Sequence, residues 1–343
     1  MEKVSIVILN YNGKNYLEQF LPKVIACSEG HEIIVADNAS TDDSVAFMKS
    51  NHSDIRLIEL SSNTGFAGGY NAALKQVESE YYILLNSDIE VTENWVSPLL
   101  ALLESDASIG GVQPKVLSYH QKDTFEHAGA AGGFIDRNYF PFCRGRLLGT
   151  VEQDLGQYDS PMEVFWASGA ALMIRSSVYH QVGGLDERFF AHMEEIDLCW
   201  RAKQLGHRFM VQPKSTIYHV GGGTLSYMSP FKTYLNFRNS LYMITKNHEG
   251  MLFPKLFWRL CLDGLAGVRF FFKGEFKNVW MIIKSHFVLY ANMRELLVDR
   301  KTIKQKRTHH QMTGYFRGNI MWSYYFKGIR RFEDLNQRLF EKY

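Results

Sequence analysis

The sequence predicts an α/β protein with a mostly parallel β-sheet flanked by helices, followed by a basic helical extension. Two observations lead to this prediction. In the first 115 residues, short apolar runs alternate with stretches whose apolar residues recur three and four positions apart. Lysine and arginine are also concentrated in the last third of the chain. Strands that alternate with helices at this spacing form right-handed βαβ units, and hence a mostly parallel sheet.

Polar residues follow the predicted strands. The strands, which are separated by predicted helices, occupy residues 4–9, 32–36, 55–60 and 81–85. In open α/β sheets, ligands bind at the carboxyl ends of the strands. We therefore expect Asp88, which follows the fourth strand, to lie at the rim of the sheet where ligands bind.

A glycine-rich turn, residues 65–69, follows the third predicted strand and begins another helix. This position argues against an NAD-dependent enzyme, because the dinucleotide fingerprint needs its glycines directly after the first strand. Asp88 alone leaves two alternatives open. It can hold a divalent cation at the rim of the sheet, or it can cap the helix that follows.

The pattern becomes less regular after residue 95. Residues 118–160 are polar and contain several glycines, which predicts an insertion or a mobile loop near a site. Residues 164–174 are apolar with small residues at the centre, where a ligand or another backbone can approach. A final strand is predicted at residues 208–211, ahead of His219.

Acidic residues begin a predicted helix that continues to Arg201; they are Glu194, Glu195 and Asp197. Acids in a first turn ordinarily complement the helix dipole. Asp197 and Arg201, four residues apart, can also form an ion pair along the helix. Taken alone, this pattern is explained by helix stability.

Charge divides the chain near residue 229. Residues 1–229 hold 17 Lys and Arg against 28 Asp and Glu, whereas residues 230–343 hold 21 against 8, so their net charges are −11 and +13. We interpret this division as the boundary between an α/β domain, 1–229, and an extension, 230–343. The acidic first part argues against a nucleic-acid partner, since it would repel a phosphate backbone.

The extension combines aromatic residues with regularly placed Lys and Arg. Helical spacing is clear in residues 279–290, and a basic aromatic pattern recurs in residues 315–329. Such helices are typical of an anionic membrane surface. The alternative is an extension that packs on the α/β domain and keeps its basic face in solvent.

Localisation is predicted from features that are absent. The four cysteines have no metal-binding spacing, no basic leader precedes the first strand, and no apolar run reaches 18 residues. These features predict a cytoplasmic protein without a spanning helix. With the basic extension, they favour a peripheral position on the inner face of the cell membrane.

Seven segments, in this order, resemble the inverting glycosyltransferases of family 2, which have the Rossmann-like GT-A fold. They are SIVILNYNG (5–13), IIVADNASTDDS (33–44), NTGFAGGYNAAL (63–74), YYILLNSD (81–88), WASGAALMIR (166–175), GGLDERFFAHMEEIDLCWR (183–201) and YHVGGGT (218–224). The resemblance implies transfer of a sugar from a nucleotide-diphosphate donor to a hydroxyl group, with inversion. It also implies nucleotide-sugar binding by about residues 1–115 and an acceptor side at about 160–229.

The resemblance further implies a metal site and a general base. Asp88 matches the metal-binding carboxylate of the family's DxD motif, and His219 matches a histidine ligand for Mn²⁺ or Mg²⁺. Asn86 replaces the usual first aspartate of that motif, which implies weaker metal binding. Glu195 matches the general base, with Glu194 as the alternative, because the second acid of the pair is more often Asp.

The resemblance also assigns the substrates. The donor is expected to be a UDP-sugar or dTDP-rhamnose, and the acceptor a glycan or lipid-linked glycan of cell-surface polysaccharide synthesis. The main alternative is a protein that binds nucleotide sugars without catalysis, since Asn86 and the Glu194–Glu195 pair depart from the family pattern. Donor contacts are expected from Asn10, Tyr11, Asp37, Asn63, Gly65, Asn86, Ser87 and Arg201, and acceptor contacts from Trp166, Ser168 and Gly169.

Overall fold

The structure is a computed structural model that describes residues 2–126, 129–221 and 229–341. Within these ranges the strands are β1 (Glu2–Asn10), β2 (Glu32–Asp37), β3 (Arg56–Glu59), β4 (Ser79–Asn86), β5 (Ile89–Val91), β6 (Ile109–Ser118), β7 (Gly133–Asp136), β8 (Pro141–Cys143), β9 (Arg146–Leu147), β10 (Thr150–Val151), β11 (Met162–Val164), β12 (Ala171–Arg175), β13 (Arg208–His219) and β14 (Tyr315–Phe316). The α-helices are α1 (Lys14–Cys27), α2 (Ser44–Asn51), α3 (Gly65–Leu74), α4 (Val96–Glu104), α5 (Ser176–Gln181), α6 (Glu194–Lys203), α7 (Pro230–Asn247), α8 (Leu252–Phe272), α9 (Phe276–Ala291), α10 (Met293–Lys306) and α11 (Ile320–Tyr325).

Nine of the described strands form one mixed sheet. Its order is β11-β13-β6-β12-β4-β1-β2-β3, with β5 beside β13. Strands β3, β2, β1 and β4 are parallel, as the sequence predicts. β12 lies between β4 and β6 and is antiparallel to both, whereas β13 is parallel to β6. The α/β prediction is therefore confirmed, with an antiparallel strand at the centre of the sheet.

The central parts of β1, β2 and β4 are largely apolar and buried, because helices cover both faces of the sheet. Ile6 and Val7 are adjacent on β1, point to opposite faces and are both fully buried. They belong to two separate apolar clusters, one on each face. On the Ile6 side, α1 contributes Leu17, Leu21 and Val24 at helical spacing.

Residues 118–160 contain a small sheet where the sequence predicted an insertion or a mobile loop. Its order within the described residues is β10-β9-β8-β7-β14, and β14 comes from the extension. Phe134 and Phe142 of this sheet pack against Phe332 and Phe340 from near the end of the chain. The strands are only two to four residues long, so they lack the alternating pattern that predicts a strand.

The extension shares the core of the α/β unit. Leu241 and Ile244 of α7 are fully buried in the apolar cluster that contains Trp200 of α6. The charge division at residue 229 therefore does not separate two hydrophobic cores. The predicted helical spacing at 279–290 is α9, whereas residues 315–329 form β14 and the short α11 in place of a long helix. No described helix is both long and apolar enough to cross a bilayer.

Candidate active site

The carboxyl ends of β1, β2 and β4 meet at one edge of the sheet. Asn10 lies opposite Asp37, and its side-chain Nδ2 donates to Asp37 Oδ1 at 3.0 Å. Asn86 ends the neighbouring strand β4, and Ser87 follows it. A Cβ atom at Gly13 would clash with the Asn10 side chain and lie 3.3 Å from Ser87 Oγ. Glycine at this position lets the ends of β1 and β4 approach each other.

Asn12 joins the two loops that flank this edge. It has a positive φ of 51°, and its Oδ1 accepts a hydrogen bond from Thr41 N at 2.7 Å. Ser40 Oγ accepts from Asn12 N at 2.9 Å and from Asn10 Nδ2 at 3.2 Å. Tyr11 is half-buried within the loop that these contacts hold. These hydrogen bonds therefore join the loop after β1 to the loop after β2, and the two loops form one wall of the site.

Asn63 and Gly65 lie in a second network, built around Asn38. Asn38 Nδ2 donates to Asn63 Oδ1 at 3.1 Å and to the Gly65 carbonyl at 3.0 Å. The carbonyl oxygen of Phe190 accepts from the amides of Phe66, at 2.6 Å, and Ala67, at 3.2 Å. Phe190 precedes the Glu194–Glu195 pair, so the first turn of α3 is bonded to the loop that carries the acids.

Asp88 and His219 are brought together by the short strand β5. His219 pairs with Ile89, next to Asp88, and the amide of Val220 donates to the Asp88 carbonyl at 3.1 Å. His219 Nε2 consequently lies 3.2 Å from Asp88 Oδ1. On its other side, Nδ1 lies 3.2 Å from Oε2 of Glu126. Residues 222–224 of the YHVGGGT segment lie outside the described residues.

The two flanking carboxylates determine the charge of His219. Burial opposes a charged imidazole, but Asp88 and Glu126 outweigh it and raise the pKa of His219 to about 10. Two neighbouring ligands on a six-coordinate ion with bonds of about 2.1 Å are about 3 Å apart. The separation of Asp88 Oδ1 and His219 Nε2 fits that geometry. A metal-binding imidazole is neutral, so a cation bound here would displace the proton from Nε2. Glu126 would then orient the ring from behind, as a carboxylate commonly does for a metal-bound histidine.

Glu194 and Glu195 begin α6 after a loop with unusual backbone angles. Phe190, His192 and Met193 all have φ between 64° and 72°, the left-handed region that non-glycine residues rarely adopt. Both glutamates place Oε2 in buried positions with no hydrogen-bond partner among the described residues. The loop therefore places one carboxyl oxygen of each glutamate in the interior without a hydrogen-bond partner among the described residues.

Burial changes the ionisation of both glutamates. It raises the pKa of Glu195 to about 7, although backbone amides at the helix start act in the opposite direction. The pKa of Glu194 lies well above its ordinary value, first through burial and then through the charge of Glu195. Burial thus favours the protonated form of Glu194, and a pKa of about 7 leaves Glu195 partly ionised at neutral pH. A carboxylate with a pKa near neutrality suits a general base.

Gly169 lies next to Glu195, whereas its two predicted companions are buried. A Cβ atom at Gly169 would be 3.6 Å from Glu195 Cβ and 3.3 Å from the ring of Phe66. Trp166 is buried, and its Nε1 donates to the Phe134 carbonyl at 3.0 Å. Ser168 is also buried, and its Oγ accepts from the Ala170 amide at 3.2 Å. Trp166 and Ser168 thus support the segment that brings Gly169 to Glu195.

Arg201 lies in a structural network, apart from the donor-side residues. Its Nε donates to Asp197 Oδ2 at 2.8 Å, which confirms the predicted pair. Its two other nitrogens donate to the carbonyls of Val182 and Gly184 at 2.7 and 2.8 Å. Lys246 of α7 also lies 2.9 Å from Asp197 Oδ2. Each of the three guanidinium nitrogens donates one of these hydrogen bonds, so Arg201 holds the loop around Gly184.

Comparison with known families identifies the first part of the chain. Residues 5–161 match the family described as Glycosyl transferase family 2. The chain carries a glycosyl transferase family 2 domain. The matched range contains the edge built from Asn10, Asp37 and Asn86, together with Asp88. The Glu194–Glu195 pair and His219 lie beyond it.

Two relatives are similar in sequence, and one solved structure is similar in fold. A low-salt glycan biosynthesis hexosyltransferase, Agl10, of Haloferax volcanii is 25% identical over 244 residues, covering 70% of this chain and 74% of the relative. An N-acetylglucosaminyl-diphospho-decaprenol L-rhamnosyltransferase of Mycobacterium tuberculosis is 23% identical over 314 residues, covering 85% and 94%. Mannosyltransferase PcManGT from Pyrobaculum calidifontis, in complex with GDP-Man and Mn²⁺, superimposes with a TM-score of 0.51 at 13% identity, covering 89% and 86%. The fold is that of GT-A glycosyltransferases.

Three residues that hold the candidate site are not expected from the sequence. Asn38 directly follows Asp37, and no pattern marks it beside that carboxylate. Glu126 lies in the segment that sequence patterns could not resolve. Asn239 of α7 donates from Nδ2 to the carbonyls of Phe189, Ala191 and His192 at 2.7–2.9 Å. A polar residue on an otherwise apolar helical face was the only signal for Asn239.

Proposed function

We propose that this protein is an inverting glycosyltransferase of cell-surface polysaccharide synthesis. The donor is a nucleotide-diphosphate sugar, either a UDP-sugar or dTDP-rhamnose, and the acceptor is a hydroxyl group of a glycan or a lipid-linked glycan. The observation that carries the proposal is the position of Glu195: its Oε2 is buried without a hydrogen-bond partner among the described residues, and its loop is hydrogen-bonded through Phe190 to the family 2 domain. Burial there raises the pKa of Glu195 to about 7. A proton acceptor of this kind is what an acceptor hydroxyl requires.

Glu195 is the proposed general base. It accepts the proton of the acceptor hydroxyl while the hydroxyl oxygen bonds to the anomeric carbon. The bond between that carbon and the diphosphate oxygen breaks in the same displacement, which inverts the anomeric configuration. Glu194 stays protonated because its pKa is high, so the site avoids two adjacent anions. Gly169 has no side chain beside Glu195, and we assign the acceptor to this side.

The donor is assigned to the opposite edge. Asn10, Tyr11 and Asp37 hold the nucleoside, since they line the wall that the loops after β1 and β2 form. Asn63 and Gly65 border the nucleotide on its other side. The remaining donor-side residues, Asn86 and Ser87, continue from that wall toward Asp88.

Asp88 and His219 are the residues that would hold a divalent cation. When bound, the cation acts as a Lewis acid that stabilises the departing diphosphate. The 3.2 Å separation of their ligand atoms supports the assignment, as does the Mn²⁺ complex of the similar mannosyltransferase. An imidazole ligand favours Mn²⁺ over Mg²⁺. No group of three convergent metal-binding side chains occurs among the described residues.

The acceptor and location are proposed from relatives and from charge. The mycobacterial relative is named for a lipid-linked sugar, N-acetylglucosaminyl-diphospho-decaprenol. A lipid-linked acceptor lies at a membrane, and the extension carries a net charge of +13, which complements anionic lipid. We therefore place the protein on the cytoplasmic face of the cell membrane as a peripheral enzyme.

The test begins with purified protein, Mn²⁺ and a panel of UDP-sugars and dTDP-rhamnose. A donor that raises the melting temperature is then used for sugar transfer to short lipid-linked and soluble glycan acceptors. Glu195→Gln should abolish transfer and retain the donor-induced thermal shift, while Glu194→Gln should retain most of the transfer. Excess chelator should stop transfer and Mn²⁺ should restore it. Donor binding without transfer by the wild type would instead establish a non-catalytic binding protein.

A further inference from the structure

Helix α8 buries one ion pair and exposes most of its large apolar side chains. Arg259 and Asp263 are buried, with Arg259 Nε 2.8 Å from Asp263 Oδ1. Buried charges require partners of this kind, whereas apolar residues ordinarily occupy the core. The exposed apolar residues of α8 are Phe253, Phe257, Trp258, Leu265, Val268, Phe271 and Phe272.

Helix α9 continues this surface with one apolar stripe. Its exposed members are spaced alternately by four and three residues, so they lie on one side of the helix. The basic side chains of Lys277 and Lys284 are exposed beside the stripe. The stripe consists of Phe276, Trp280, Ile283, Phe287 and Tyr290.

Helix α11 adjoins α8 and extends the surface. The Tyr325 hydroxyl accepts from Arg269 Nη1 of α8 at 3.2 Å. On α11, the rings of Trp322 and Phe326 stack with centroids 4.3 Å apart, and both side chains are exposed. We call the exposed apolar residues of α8, α9 and α11 the aromatic face.

Tryptophan is distributed unevenly between the core and this face. The chain has six tryptophans. Three are at most 5% exposed, and the other three are at least 50% exposed and all lie on the aromatic face. Tryptophan is enriched where membranes meet water, because its ring is apolar and its N–H needs a polar partner. The exposed tryptophans are Trp258, Trp280 and Trp322.

We propose that the aromatic face inserts into the interfacial region of an anionic bilayer. The charges around the aromatic face favour a bilayer over a second copy of the chain as its partner. The margin of the face carries exposed Arg269, Lys273, Lys277 and Lys284, which attract anionic headgroups and would repel the same residues on a second copy. The helices lie in the plane of the membrane, with apolar side chains about 5–10 Å deep. The inference rests on the proposed function, in which membrane contact brings Glu195 to a lipid-linked acceptor.

Vesicle flotation tests the proposal with the full chain. Wild type should float with vesicles of phosphatidylcholine and phosphatidylglycerol, and should remain partly bound at high salt because apolar burial contributes. Trp258→Glu and Phe287→Glu should each weaken binding at least about tenfold, the effect of exposing one large side chain to water. Leu155→Glu, at an exposed leucine outside the aromatic face, is the matched control and should bind like wild type.

Two further measurements make the result decisive. Brominated lipids should quench the fluorescence of the exposed tryptophans in wild type, which requires no substitution. Trp258→Glu should reduce transfer to a lipid-linked acceptor in vesicles and leave transfer to a soluble glycan unchanged. Equal binding by all variants, or loss of a dimer in sedimentation without any change in vesicle binding, would overturn the proposal. Vesicle binding without transfer to either acceptor would contradict the proposed function alone.

Discussion

The side chain of Asn239 on α7 donates a hydrogen bond to the backbone carbonyl of His192, two residues before the Glu194–Glu195 pair. Its Nδ2 lies 2.7 Å from the His192 carbonyl oxygen. His192 and the next residue, Met193, both have positive φ, which costs about 1–2 kcal/mol per non-glycine residue. Asn239 offsets this strain with hydrogen bonds that a solvent-exposed loop would lack. The extension thereby positions Glu194 and Glu195.

We expect Asn239→Ala to slow catalysis without removing the donor site. The carbonyls that Asn239 binds would lose their donor, and the loop would relax from its left-handed conformation. We predict a fall in kcat of at least about tenfold, the effect of misplacing a catalytic group by an ångström or so. The donor-induced thermal shift should persist. Asn292→Ala, which removes a local helix-end hydrogen bond to Val288, should leave kcat unchanged.

The pH dependence of transfer should report Glu195. A general base acts when deprotonated, and burial raises the pKa of Glu195 from its ordinary value of 4.5 to about 7. We therefore expect kcat/KM to fall about tenfold per pH unit below pH 7 and to level off above it. A limb centred near pH 4.5 would show that an ordinary, exposed carboxylate is the base. In Glu194→Gln the limb should remain above pH 5, because burial is the main cause of the shift.

Glu126 should control metal affinity although it is not an assigned ligand. Its Oε2 faces His219 Nδ1 at 3.2 Å, so it fixes the ring that presents Nε2 to the cation. Removing such a partner typically weakens metal binding about 10–100-fold. Glu126→Gln should raise the Mn²⁺ concentration for half-maximal transfer to that extent. Glu90→Gln, on β5 and paired with Lys23 and Lys122, should not change it.

A comparison of Gly65 with Gly274 separates the stability cost of a steric clash from the cost of a positive φ angle. Gly65 and Gly274 have φ of 75° and 74°, but a Cβ atom at Gly65 would meet Phe190 at 2.5 Å and one at Gly274 would meet nothing within 4 Å. Gly274→Ala should cost about 1–2 kcal/mol of unfolding free energy. Gly65→Ala should cost more than about 3 kcal/mol and reduce donor binding. Urea unfolding of both variants measures the difference, and equal costs would contradict the contact.

The first half of the site could be predicted because parallel strands align. Asn10, Asp37 and Asn86 follow apolar runs, and a parallel register necessarily brings such ends together. Asp88 and His219 are 131 residues apart, and no local pattern links them. Their proximity was expected only from resemblance, and the structure shows β5 as the element that creates it. Local patterns predict neighbours within a strand or between consecutive strands, and little else.

The rest of the site depends on contacts that sequence patterns do not encode. Arg201 was expected at the diphosphate, but it lies on the side of α6 where Asp197 and Lys246 already form a charged cluster. Glu126 lies between β6 and the four-residue strand β7, in a segment without a periodic pattern. Asn239 looks like an ordinary helix residue until α7 packs on the acid loop. In each case, the partner lies in a distant part of the chain.

The pairing of β14 with β7 has a consequence for how the chain acquires its fold. Ile135 pairs with Tyr315, roughly 180 residues later, and such long-range pairings form slowly. During synthesis, β1–β4 can form while the edge of β7 remains open to other strands. An open edge of this kind promotes aggregation until it is covered. We therefore expect nascent chains that end before residue 315 to aggregate, and the small sheet of β7 and β14 to form last.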